Sequence, residues 1–170
     1  MESKPELQPP PGVFALMFHQ LLVGTAVSFL NFGIHAVMTG LIILCTQRTA
    51  SWTDHLHVFV RVSALLMVTM AVLTLAHCAE VGVWALFYDY ADVTAKTGVN
   101  AFEFAFENYT ALGYGDAVPL PEKRLYGPLT SLNGLMLIGW SVAIIFEVMR
   151  MAEVQVTRKE GHAHRKRRET

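Results

Sequence analysis

Charged residues are scarce in this 170-residue sequence, where Asp, Glu, Lys and Arg together make up only 16% and hydrophobic residues make up 53%. Three stretches contain no charged residue at all: residues 7–47, 62–79 and 125–146. A composition this apolar excludes an ordinary soluble domain. The second and third stretches are each close to the roughly 20 residues that a helix needs to cross a bilayer. The sequence therefore predicts a membrane protein.

The charge-free stretches predict three transmembrane helices. The first stretch is too long for one straight span and too short for two with a turn, so we predict a Pro-rich lead or interfacial segment over 1–18 and an additional first helix over 19–46. The second and third spans are predicted over 57–88 and 126–149. Cysteine is also scarce, and both cysteines fall in predicted spans, where a thiol packs like a small apolar group. We therefore expect no disulfide.

Lys and Arg are unevenly distributed, and this predicts the orientation. Basic residues dominate the tail over 151–170 and the short loop between the first two spans, whereas residues 80–124 contain seven acids and three bases. Because basic residues close to spans stay on the cytoplasmic side, we expect the N-terminus outside and the C-terminus in the cytoplasm of a plasma membrane, such as a bacterial inner membrane. We interpret the basic tail as an anchor near anionic lipid headgroups and expect no nucleic-acid partner.

The segment between the second and third spans contains a short predicted helix. Asn100 is a suitable N-cap, and a helix over 100–110 would be only about 15 Å long, half the thickness of a bilayer. Irregular backbone that follows such a helix cannot face lipid and must line water or ions. The helix C-terminus favours a cation. Gly113 and Gly115 permit left-handed backbone angles that let successive carbonyls turn toward one axis, and such oxygens are suitable ligands for hard cations.

The string "TALGYGD" at residues 110–116, between these elements, resembles the selectivity filter of the potassium-channel pore-domain family. "HCAEVGVWALFY" before it and "LNGLMLIGWS" after it resemble small bacterial ion-channel proteins of this family. The resemblance implies an all-α membrane protein with a re-entrant pore helix and filter loop between the second and third transmembrane helices. It also implies a homotetramer that conducts K⁺ and is not an enzyme, with no cofactor. The pore domain then covers 57–150, divided into outer helix 57–88, pore helix 100–110, filter 111–116 and inner helix 126–149.

The resemblance implies that K⁺ binds to filter residues through their carbonyls alone. These ion-binding residues are Thr110, Ala111, Leu112, Gly113, Tyr114 and Gly115. Ala111 stands where the family has a threonine whose hydroxyl completes the innermost site, and Leu112 stands where it has a valine. These departures predict a weaker innermost site and leave open a weakly selective monovalent cation channel. Glu107 and Asp116 are the expected filter support, as two carboxylates that share a proton; the alternative is a Glu107 that simply faces external water.

Further residues are candidates for gating. Gly134 and Gly139 are hinge candidates in the third span, and one face of this helix, rich in small residues, is expected either to line the inner cavity or to make a close helix contact. Glu147 is expected either to ring the inner mouth or to pair with a nearby arginine. His77 and Glu80, one turn apart near the end of the second span, form either a proton-sensing pair or an interfacial hydrogen-bonded contact.

Two other functions are compatible with parts of the sequence. His35 and His77 lie in different spans, which allows a membrane b-type haem protein for electron transfer. This hypothesis leaves the Gly-Tyr-Gly-Asp string and the half-length helix without an explanation. The chain is also compatible with a non-conducting subunit that assembles with a true channel. Because no span has arginine at every third position, we expect no voltage sensor of the usual kind.

Overall fold

The computed structural model describes residues 12–94, 98–113 and 118–168. In this part of the chain the secondary structure is entirely helical, which confirms the all-α class. The helices are α1 (Val13–Trp52), α2 (Val58–Tyr90), α3 (Ala101–Tyr109) and α4 (Tyr126–Arg168), with a single 3₁₀ turn at Pro121–Lys123. Three segments are long and apolar enough to cross a membrane: α1, α2 and Pro121–Val154. Large apolar side chains lie exposed along all three, as in Phe18, Phe59 and Phe146, so the protein is a multi-pass membrane protein.

The predicted helix ends differ from the observed ones mainly where the prediction took the edge of the bilayer as the end of the helix. α2 and α3 begin and end within two residues of the predicted positions. α1 begins at Val13, earlier than expected, so residues 13–18 of the predicted lead are continuous with this helix, and most of the lead lies outside the described residues. α4 begins at the predicted residue and continues far past 149 to Arg168. Charged and polar residues mark the edge of the lipid, but they are compatible with a helix and do not end one.

The chain divides into two compact units, and the first comprises α1 up to Leu30 together with residues 82–134. Its core is aromatic, with Trp84, Tyr88, Phe104 and Tyr109 all buried. The indole N–H of Trp84 donates a hydrogen bond to the side-chain carbonyl of Asn133 over 2.9 Å. Aromatic side chains contribute large buried areas, and their polar atoms usually need a partner when buried. These contacts fix α2, α3 and the start of α4 against one another.

The second unit comprises residues 31–81 and 135–170. Its apolar core joins α1, α2 and α4 through Ile42, Leu65, Leu73, Val148 and Ala152. A buried polar cluster on the same three helices completes this unit and is described below.

Candidate functional site

The N-terminus of α3 is capped as predicted. The Asn100 side chain accepts a hydrogen bond from the Phe102 N–H over 2.8 Å, with extended backbone at Asn100 itself. This bond satisfies one of the four amides that a helix start leaves without a partner. α3 then has nine residues, or about 14 Å at 1.5 Å per residue. It is too short to cross a membrane alone.

The C-terminus of α3 ends in a Schellman motif. The Ala111 N–H donates to the Asn108 carbonyl and the Leu112 N–H donates to the Glu107 carbonyl, each over 2.9 Å. This pattern requires a left-handed residue directly after the helix cap, usually glycine. Here the left-handed residue is Ala111, with φ of 55°.

Gly113 is also left-handed, with φ of 57°, so left-handed and ordinary residues alternate after α3. The left-handed glycine at 113 was expected, because glycine has no Cβ to oppose such angles. The left-handed alanine at 111 was not expected, since alanine has the Cβ that glycine lacks. Among residues other than glycine, only Asp92 and Ala111 have a positive φ in the described part of the chain.

Two glycines of α4 allow the end of α3 to pack closely against it. A Cβ added at Gly134 would lie 2.0 Å from the Tyr109 carbonyl oxygen, and one added at Gly127 would lie 2.7 Å from the Asn108 side-chain oxygen. Between them, the Ser131 hydroxyl donates to the Asn108 carbonyl over 2.7 Å. Small residues therefore position the backbone from which residues 110–113 follow.

The small-residue face of α4 makes close contacts within the chain. Thr130 and Leu137 on this face are fully buried, and the Thr130 hydroxyl is hydrogen-bonded to the Tyr88 hydroxyl. These contacts favour the helix-contact interpretation of the face over a cavity lining. Gly134 belongs to this contact, whereas a Cβ added at Gly139 would have no atom within 4 Å. The hinge roles of both glycines remain predictions.

The expected ion-binding residues are described only in part. Thr110 to Gly113 follow α3 as given above, and the Thr110 hydroxyl donates to the Phe106 carbonyl over 2.9 Å. Tyr114, Gly115 and Asp116 lie outside the described residues. Glu107 is buried, with 9% of its surface exposed, so it does not simply face external water on this chain. Its pairing with Asp116 remains a prediction.

Glu147 forms an ion pair with Arg150 one turn later, with an N···O distance of 2.7 Å, and both side chains are largely exposed. Exposed pairs at this spacing contribute little to stability. The pair is one of the two arrangements that the sequence predicts for Glu147, and the ring of four copies at an inner mouth remains a prediction.

His77 and Glu80 are hydrogen-bonded, with 3.0 Å between His77 Nδ1 and Glu80 Oε2. Two further residues contact this pair, and the sequence did not predict either contact. His35 Nδ1 lies 2.8 Å from Glu80 Oε1, and His77 Nε2 lies 2.9 Å from the Ser141 hydroxyl. Glu80 is fully buried, so the pair belongs to a buried network on three helices, and its proton-sensing role remains a prediction. The sequence signal for this network was His35, a histidine within the charge-free stretch of α1.

The described contacts define an all-α membrane protein in which a half-length helix is fixed to a long helix just before two left-handed residues, Ala111 and Gly113. Residues 76–151 match the model of a protein family described as "Ion channel". This segment contains the end of α2, all of α3, the connection to α4, and α4 as far as Met151, whereas α1 lies outside it. The segment is similar to ion-channel domains, and the match supports a pore of the potassium-channel type. No curated protein and no solved structure matches the chain.

Proposed function

We propose that the protein is a potassium-selective channel that conducts K⁺ passively through a filter lined by the backbone carbonyls of residues 110–115. The match of residues 76–151 to an ion-channel family is the observation that carries this proposal, because the "TALGYGD" string lies inside the matched segment. Backbone carbonyls replace the hydration shell of K⁺ in such filters.

The backbone at the end of α3 supports this function. The C-terminal carbonyls of a helix carry partial negative charge, which favours a cation beside them. Ala111 and Gly113 are left-handed with one ordinary residue between them, and such alternation lets consecutive carbonyls point to the same side of the strand. Four such strands around one axis would enclose a column of ions.

The proposed assembly is a homotetramer in the plasma membrane. Each chain has one filter string, and a filter of this kind is built from four loops. We place the N-terminus outside and the basic tail in the cytoplasm, near anionic lipid headgroups. The membrane in question would be the inner membrane of a bacterium.

A weakly selective cation channel is the second candidate function. Ala111 and Leu112 favour it, because alanine offers no hydroxyl for the innermost ion site and leucine differs in shape from the valine of the family. A preference of K⁺ over Na⁺ well below that of a filter with threonine would support this candidate.

The geometry of the histidines argues against a haem protein. The rings of His35 and His77 have centroids 5.6 Å apart, and both are hydrogen-bonded to the same carboxylate of Glu80. A porphyrin held axially by these histidines would have to occupy the space where that carboxylate lies.

The test is ion flux through the purified protein in liposomes of defined lipid, with reversal potentials measured in opposed K⁺ and Na⁺ gradients. We expect K⁺ flux with a reversal potential near that of K⁺. Gly113→Ala should abolish the flux, because it adds left-handed strain of about 1–2 kcal/mol per chain to that already present at Ala111. Gly40→Ala is the matched control, since Gly40 lies outside the matched segment and a Cβ there meets no atom within 4 Å. Folded wild-type protein without any cation flux would contradict the channel function.

A further inference from the structure

The polar cluster of His35, His77, Glu80 and Ser141 contains three residues of metal-ligating type. One ligand atom from each of His35, His77 and Glu80 lies within 4.8 Å of the other two. His35 and Glu80 are fully buried, and the His77 side chain is 24% exposed. The indole ring of Trp140 lies over His35, with ring centroids 5.2 Å apart. The cluster therefore lies in largely apolar surroundings inside the second unit.

No lysine or arginine on these helices lies at the level of the Glu80 carboxylate. Arg61 on α2 is about 28 Å from it along the helix axis, at 1.5 Å per residue. Arg48 on α1 lies about 20 Å along its helix from the cluster, and Arg150 on α4 about 13 Å. An ionised carboxylate in apolar surroundings is costly without a cation. The cation at this point must therefore be a proton or a bound ion.

In one tautomer of His77, the contacts of the cluster leave a place for a cation beside the Glu80 carboxylate. When His77 Nε2 donates its proton to the Ser141 hydroxyl, at 2.9 Å, the lone pair of His77 Nδ1 faces a Glu80 oxygen at 3.0 Å. Two acceptors at this distance repel each other unless a cation lies between them. On the other side of the cluster, His35 Nε2 is buried and has no hydrogen-bond partner among the described residues.

We propose that His35, His77 and Glu80 form a binding site for a divalent transition metal ion, with Zn²⁺ as the best fit. Two imidazole nitrogens and one carboxylate oxygen are a familiar zinc ligand set, and they leave one position for water or an anion. Metal-binding histidines usually donate their second ring N–H to an oxygen, which is the role that the Ser141 hydroxyl fills for His77. Zn–N distances of about 2.0–2.1 Å place tetrahedral ligands about 3.3 Å apart. The present N···O distances are 2.8 Å from His35 Nδ1 to Glu80 Oε1 and 3.0 Å from His77 Nδ1 to Glu80 Oε2. Because they involve two different oxygens, binding through one oxygen requires the carboxylate to turn as well as the ligands to move slightly apart.

A bound metal would connect α1 to α2. His35 is supplied by α1, outside the ion-channel segment, whereas His77 and Glu80 belong to the part of α2 inside it. The metal would thus couple the additional first helix to the channel domain. Because the unfolded chain does not hold these ligands together, binding would also stabilise the folded protein.

The test is Zn²⁺ binding by the full-length protein in mild detergent, after removal of metal with a chelator. Equilibrium dialysis with elemental analysis gives the metal content per chain, and thermal unfolding is followed with and without Zn²⁺. We expect one Zn²⁺ per chain at the cluster and a higher unfolding temperature with Zn²⁺. The variants His35→Ala and His77→Ala should each bind one Zn²⁺ fewer per chain, and Zn²⁺ should no longer raise their unfolding temperature.

Two controls separate the cluster from other histidines. His19→Ala changes an exposed histidine on the same helix as His35 and should keep both the bound Zn²⁺ and the rise in unfolding temperature. A double change of His162 and His164 to alanine removes the histidines of the basic tail and should keep them too. Loss of all zinc binding in this tail variant would overturn the proposal.

Co²⁺ binding to the wild-type protein gives a readout that does not depend on folding of any variant. Tetrahedral Co²⁺ with two nitrogens and an oxygen should give intense visible absorption bands that Zn²⁺ removes. Wild-type protein that binds neither metal at the cluster, while its stability still responds to pH, would show that the cluster holds protons only and would also overturn the proposal. None of these measurements depends on K⁺ conduction, so they stand or fall separately from the channel function.

Discussion

Gly134→Ala tests whether the end of α3 depends on close contact with α4. The added Cβ would lie 2.0 Å from the Tyr109 carbonyl oxygen and 2.9 Å from its carbon. Because these are backbone atoms, the two helices must separate by about 1 Å to reach the closest contact that real Cβ atoms make. Overpacking of this kind costs about 1–3 kcal/mol, whereas replacing glycine by alanine inside a helix gains about 1 kcal/mol. Because backbone must move, we expect the upper end of the cost and a net loss of about 1–2 kcal/mol.

Gly139→Ala is the matched control, five residues later on the same helix, where the added Cβ meets no atom within 4 Å. It should leave the unfolding temperature unchanged or raise it, since only the gain in helix propensity remains. The assay is thermal unfolding of both variants in the same detergent, with cation flux measured in parallel. We expect lower stability for Gly134→Ala alone; because both glycines are hinge candidates, stability and not flux decides this test. If Gly134→Ala is as stable as Gly139→Ala, the contact between α3 and α4 is not as close as described.

The remaining predictions concern packing, selectivity and assembly. Tyr88→Phe removes the hydroxyl that bonds to Thr130 and should lower the free energy of unfolding by about 0.5–1.5 kcal/mol; an unchanged unfolding curve would contradict this. Ala111→Thr should raise the preference for K⁺ over Na⁺ and strengthen block by internal Ba²⁺ relative to Ala111→Val, which has the same shape without the hydroxyl; equal reversal potentials and equal block would show that residue 111 does not face the ion path. Light scattering of the protein in mild detergent should give four chains per particle, and a stable monomer alone would refute the tetramer. Cysteines introduced at Ser3 and Thr170 should be labelled from opposite sides of the membrane, and labelling from the same side would refute the three-span topology.

The helices were predictable because each depends on a local signal. Charge-free stretches mark α1, α2 and α4, since a helix that spans lipid cannot expose charges to it. Asn100 marks the start of α3 because its side chain can replace a missing amide partner within the same turn. Such signals need only neighbouring residues, so a single sequence contains them.

Contacts between distant segments were not predictable in the same way. Ser141 and His35 join His77 and Glu80 from two other helices, and nothing in their own neighbourhood indicates which helix face they meet. The role of Gly134 was predicted as a hinge, but its close approach to Tyr109 depends on how two helices pack. The filter-support pair was named from the family resemblance, and only its Glu107 member belongs to the described part of the chain.

Ala111 combines two opposing requirements that bear on why the family threonine is absent here. The Schellman motif places this residue in the left-handed region, which costs an L-residue about 1–2 kcal/mol. That cost is larger for a β-branched side chain, because its second branch also contacts the backbone. In the proposed channel, a threonine at 111 would supply an oxygen to the innermost ion site but would have to accept this strain. Alanine reduces the strain at the end of α3 and supplies no oxygen, so in the proposed tetramer it would remove one ligand per chain from that site.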